Sequence, residues 1–228
     1  MSQPKENYSE LSPTTHRRDD RTISQLCRQG VARFNSASAD FATHLGCVKS
    51  NQWTWPTPCS EWNVRQLVNH VTRGNLNFAS LLRGQNAEGF VRMRDEDALR
   101  DDAVASFAKS VNVCSDSFGK ADALEAVLDY PLGKITGCQA LAIKTTDTLI
   151  HTWDLARSID RDDRLSTESV EWVDQNLHRI YANLPETPVS DTTSNRFFAS
   201  PQTGQANTQS TQDALLTLLG RSTDWSRT

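Results

Sequence analysis

Two histidines and one aspartate carry the strongest chemical signal in this 228-residue chain. Asp147 precedes His151 by four residues, so on a helix the carboxylate and the imidazole lie on one face, one turn apart. His70 sits in a separate helical stripe and would complete a set of three if the two helices face each other. Two imidazoles and one carboxylate suit zinc with a fourth position open to water or substrate, and they suit Fe(II), Ni(II) or Mn(II) equally. A D-x-x-x-H spacing arises often by chance, and a histidine on a partly apolar helix is more often a hydrogen-bonded core residue. The residues by themselves therefore leave metal binding and core packing both open.

Several neighbours have two readings. Asp154, three residues after His151, is placed to orient an imidazole from behind, or to pair with Arg157 or Arg73. Arg73 and Asn77 follow His70 by three and seven residues, near its helical face, where they would meet an anionic substrate or the polar groups of a thiol cofactor, or solvent. Trp153 reads as core rather than substrate wall. Cys59 has no nearby base to lower its pKa and reads as a buried packing residue. Trp53, Trp55 and Trp62 form an aromatic plug over the first loop. No residue is assigned a catalytic proton transfer.

The elements that must position these groups read as helices. Residues 1–20 are polar, without apolar period, and are expected to be a flexible tail. From Thr22, the positions Ile23, Cys27, Val31, Phe34, Phe41 and Leu45 trace one face of a long helix. "WTWPTPCSEW" stops it, and Ser60 is the expected N-cap of a second helix that carries His70 and ends near Gly84. A third helix follows the acidic run "RDEDALRDD". "DYPLGKITG" breaks the pattern, after which a fourth helix carries Asp147 and His151 and ends near Arg157 or Ser158. A further helix spans about Ser166 to Asn183, a polar surface excursion follows from Leu184 to about Ser210, and "TQDALLTLLG" closes the chain as a short helix. With no convincing period-two strand, the expected fold is all-α. It is an antiparallel four-helix bundle over residues 21–184, with a C-terminal extension over 185–228 packing on it.

A net charge of -4 gives no basic excess for nucleic acid, and no run approaches the roughly 20 apolar residues of a membrane span. The five cysteines are scattered without a C-x-x-C pair, which reads as a reduced, cytoplasmic setting rather than a disulfide framework.

The phrases "PTPCSEWNVRQLVNHVTRGN", "DYPLG", "DTLIHTWDLARS" and "LLTLLGRSTDW" occur in an order and spacing that resembles the DinB-like metal-binding family related to mycothiol-dependent maleylpyruvate isomerases. The resemblance runs from about Thr22 to Trp225. It implies a divalent metal, zinc first and nickel, iron or manganese next, on His70, Asp147 and His151. It also implies a small-molecule substrate and mycothiol as cosubstrate, with the metal stabilising a thiolate in a transfer or isomerisation. A homodimer is left open. The aspartate at position 147 departs from the glutamate frequent in the isomerase, which shortens the ligand's reach. The alternatives are a metal-dependent hydrolase on the same ligands, oxygen chemistry on iron, or a non-catalytic metal-binding bundle.

Overall fold

The computed structural model describes residues 26–60, 62–184 and 210–227. The tail expected over residues 1–20 and the body of the excursion, residues 185–209, lie outside the described residues.

Among the described residues the chain is mostly helical, with one small hairpin. In chain order the elements are α1 (Gly30–Leu45), α2 (Val64–Leu81), α3 (Ala87–Met93), α4 (Ala103–Phe118), β1 (Val127–Tyr130), β2 (Gly133–Thr136), α5 (Gly137–Ser158), α6 (Thr167–Ile180) and α7 (Thr211–Leu218). Helix α5 packs on α1 and α2, α4 packs on the same two, and α6 lies on α5 with α7 against it.

Three expectations about the secondary-structure elements need correction. The first helix does not run unbroken from Thr22, because Gln29 is left-handed (φ 61°) and α1 begins only at Gly30. The second helix is capped by Asn63, not Ser60. The Asn63 side chain accepts from the Gln66 N–H, and Gln66 returns a bond to the Asn63 N–H. The start is displaced because the proline loop closes on itself first, with Pro56 bridged to Asn63 and the Thr57 hydroxyl against the Cys59 and Trp62 carbonyls.

The third correction is a β-element in a chain expected to be all-helical. "DYPLGK" is the tip of an antiparallel hairpin in which Tyr130 pairs with Gly133, whose φ of 132° glycine accommodates freely. Leu128, Tyr130 and Ile135 point inward from it. Strands of four residues are too short to show a period, so the sequence signals only that the helix breaks.

Helix α5 is buried along nearly its whole length, even though its middle is polar: Lys144, Thr145, Thr146, Thr148, His151, Thr152, Asp154 and Ser158 are all buried. Most of these groups carry their own solution. The hydroxyls of Thr145, Thr146, Thr148, Thr152 and Ser158 each donate to the carbonyl four residues back. This removes the cost of burying them without a partner on another element. Apolar residues on either side, including Trp153, Leu149, Ile150 and Leu155, lock the helix into the core.

The start of α5 is clamped as well. Thr136 and Gln139 form a capping box, and the N–H groups of Gly137 and Cys138 donate to the carbonyls of Ala126 and Leu124 at 2.8 Å. A Cβ on Gly137 would lie 1.9 Å from the Ala123 carbonyl oxygen. Gly137→Ala is therefore expected to cost about 3 kcal/mol, the upper range for overpacking, because backbone and not a flexible side chain must yield. Urea unfolding with no loss would show that the clamp is loose.

The cysteines were expected to be reduced. Cys27 and Cys138 instead form a disulfide, with Cα atoms 5.3 Å apart, that ties the turn before α1 to the first turn of α5. They are 111 residues apart in sequence, so only the packing of α1 against α5 brings them together. Cys47 and Cys114 are free thiols, and burial pushes the Cys114 thiol up to about 12.

Candidate functional site

Helices α2 and α5 bring the three singled-out residues together. One ligand atom from each of His70, Asp147 and His151 lies within 4.8 Å of the others. Asp147 Oδ1 sits between the two rings, 3.1 Å from His70 Nε2 and 3.3 Å from His151 Nε2. The side chains of His70 and Asp147 are 26% and 21% exposed while that of His151 is 4% exposed, so the cluster opens on the His70 side. Among the described residues this is the one group of its kind.

Each member is held from behind. His151 Nδ1 donates to Asp154 Oδ2 at 2.8 Å, and Asp154 in turn accepts two bonds from Arg221, at 3.0 Å from Nε and 2.6 Å from Nη2. Asp154 thus orients the imidazole and forms an ion pair, but its partner is neither Arg157 nor Arg73. Arg157 spends its guanidinium on the Thr223 and Trp225 carbonyls and on Asp163. Asp147 Oδ2 accepts from the Lys144 ammonium at 2.7 Å. The Trp62 ring stacks on His70 with centroids 4.3 Å apart and stands 5.6 Å from His151, so this tryptophan of the expected plug is a wall of the cluster.

The charges follow from these contacts. Burial would raise the Asp147 carboxyl, but Lys144, His70 and His151 outweigh it and hold the group well below its ordinary range. Burial likewise opposes ionisation of Asp154, and Arg221 and His151 overcome it. The histidines diverge. Burial pulls His70 down, helped by the neighbouring positive groups and opposed by Asp147, whereas His151 is raised because Asp147 and Asp154 together outweigh its burial. His151 lies between two carboxylates, which favour a proton on its ring.

Arg73 and Asn77 are turned to other work. Arg73 donates to the carbonyls of Glu96 and Asp97 and pairs with Glu96, which ties α2 to the loop before α4. The Asn77 amide reaches the Phe90 carbonyl of α3. Trp153 is core, 1% exposed. Cys59 is half-buried rather than buried.

Two participants escaped the sequence reading. Lys144 stands at helical spacing before Asp147, a visible signal, but a lysine in a helix is ordinarily assigned to solvent. Arg221 is 67 residues from Asp154 and nothing local marks it.

Residues 34–156, more than half of the chain, match the family described as the mycothiol maleylpyruvate isomerase N-terminal domain. The chain belongs to this family. The matched span includes all three residues of the cluster. Two uncharacterized proteins of Mycobacterium tuberculosis, from strains CDC 1551 / Oshkosh and ATCC 25618 / H37Rv, are each 33% identical over 132 residues, covering 56% of this chain and 68% of theirs. A crystal structure of the mycothiol-dependent maleylpyruvate isomerase superposes with a TM-score of 0.47 at 14% identity, covering 57% of this chain and 60% of that one. This chain thus spans under two thirds of the solved isomerase. Among the described residues no helix is long and apolar enough to cross a membrane.

Proposed function

We propose that this chain is a metal-dependent enzyme acting on a small molecule with a mycothiol-type thiol, by transfer or isomerisation, and that His70, Asp147 and His151 hold a single divalent cation, zinc first. One observation supports it above the others: three ligand atoms converge within 4.8 Å on a partly open face of a member of this family. The donor set fits, since two imidazoles and a carboxylate oxygen suit zinc, and the outer nitrogen of His151 already rests on a carboxylate, as metal-bound imidazoles generally require. When bound, such a cation supplies charge stabilisation that deprotonates a thiol or water near neutral pH.

The remaining tasks fall to the chain. Asp154 and Arg221 fix the ring of His151, Lys144 fixes the carboxylate of Asp147, and Trp62 shields one side of His70 from water. Arg73 and Asn77 are given no substrate contact, because their donors are engaged elsewhere. The same reading takes α1, α2, α4 and α5 as the four-helix bundle of a domain over residues 21–184, closed by the extension from residue 185.

Protein purified without chelator or metal-binding tag is expected to carry about one equivalent of zinc, nickel, iron or manganese by elemental analysis. The loaded protein is expected to accelerate the reaction of mycothiol with an electrophilic small molecule. A protein that stays empty after reconstitution sinks the metal reading. One that loads but turns over without thiol redirects the same ligands to hydrolysis.

A further inference from the structure

Lys144 is fully buried, and its Nζ lies 2.7 Å from Asp147 Oδ2. It reaches that position past Gly74 of α2, where a Cβ would stand 3.2 Å from Nζ and 3.4 Å from Cε. Taking an ammonium out of water costs several kcal/mol, and this one is offset by a single carboxylate oxygen. The other oxygen of the same carboxylate, Oδ1, faces both imidazoles. The carboxylate is therefore divided, with one oxygen committed to a cation of the protein and one turned to the cluster.

We infer that Lys144 is a positioning residue that limits Asp147 to one ligand oxygen and makes the loaded site select an anionic ligand, a thiolate or carboxylate, over a neutral one. This rests on the metal reading above. The charges explain it. Asp147 is cancelled by Lys144, and Asp154 by Arg221. A divalent cation on this site then keeps its two positive charges uncompensated in a partly buried place, which favours an anion beside it. Without Lys144 the carboxylate would offer its full charge and a second oxygen, so the cation would be held more tightly and the anion less.

The test compares wild-type protein with Lys144→Met, using zinc affinity by chelator competition and azide binding to the cobalt(II)-loaded protein by its visible spectrum. The variant is expected to hold zinc at least about tenfold more tightly and azide at least about tenfold more weakly, since a charge this close acts strongly even at an effective dielectric constant of about 20. Lys144→Gln, which keeps a neutral donor of similar length, is expected to move both values in the same direction and carries the test if the methionine variant does not fold. A folded variant with unchanged zinc and azide affinities overturns the role of Lys144 while the metal reading stands. A wild-type protein that binds neither zinc nor cobalt overturns both.

Discussion

Replacing Arg221 with methionine is expected to lower the unfolding free energy of the metal-free protein by about 3–5 kcal/mol, the range for breaking one side of a buried ion pair. Asp154 is fully buried and Arg221 is 3% exposed, so solvent cannot take over the role of the missing guanidinium. Two of the carboxylate's bonds come from Arg221 and the remaining one from His151. The loss spreads to the imidazole, whose orientation depends on Asp154, and to the residues after α7 that Arg221 anchors to α5.

The pH dependence has a defined sign. Despite burial, Arg221 and His151 hold the Asp154 carboxyl below its ordinary value. Its stabilisation is therefore fully present above the unfolded value of about 3.9 and is lost as pH falls through the folded one. Because Arg221→Met removes much of that depression, the gap between wild type and variant is widest near neutrality and narrows in acid. Urea titrations at neutral and acid pH measure both statements. A gap under about 1 kcal/mol at neutral pH, the scale of an exposed pair, would mean that the bond is not the buried one described.

On the proposed metal reading, His151→Ala is expected to reduce zinc affinity by more than about a hundredfold, because it would remove a direct donor where loss of an outer partner alone typically costs about 10–100-fold. Asp154→Asn falls in that lower range, since it weakens the hold on the ring and leaves Nε2 in place. His44→Ala supplies the control. Asp40 and His44 repeat the four-residue spacing of Asp147 and His151, and Asp40 acts on His44 electrostatically, yet no third ligand joins them among the described residues. Isothermal titration with zinc distinguishes the three. Equal losses in His44→Ala and His151→Ala would show that the cation is not at the α2–α5 cluster.

The same comparison shows how much was legible beforehand. Apolar periodicity, together with proline and glycine punctuation, placed most of the helices: α5 ends at Ser158, α6 starts after its Ser166 cap, and Gly84 and Gly220 follow α2 and α7 with positive φ. These features are local, set by backbone sterics and by which face of a helix must leave water. The hairpin was hidden because its strands are too short for a period, and the Cys27–Cys138 pair because no spacing rule reaches across 111 residues.

By itself the sequence determined most of the helices and, through motif resemblance, the candidate ligands. The spacing rule alone did not single them out, for Asp40–His44, Asp147–His151 and Asp174–His178 all satisfy it. Tertiary structure decided between them by packing α2 on α5, which sets His70 against the second pair. It also set Lys144 through the gap left by Gly74 and brought Arg221 under Asp154. A buried charge needs a partner at contact distance, and which residue supplies it depends on how the helices pack, which no local pattern encodes.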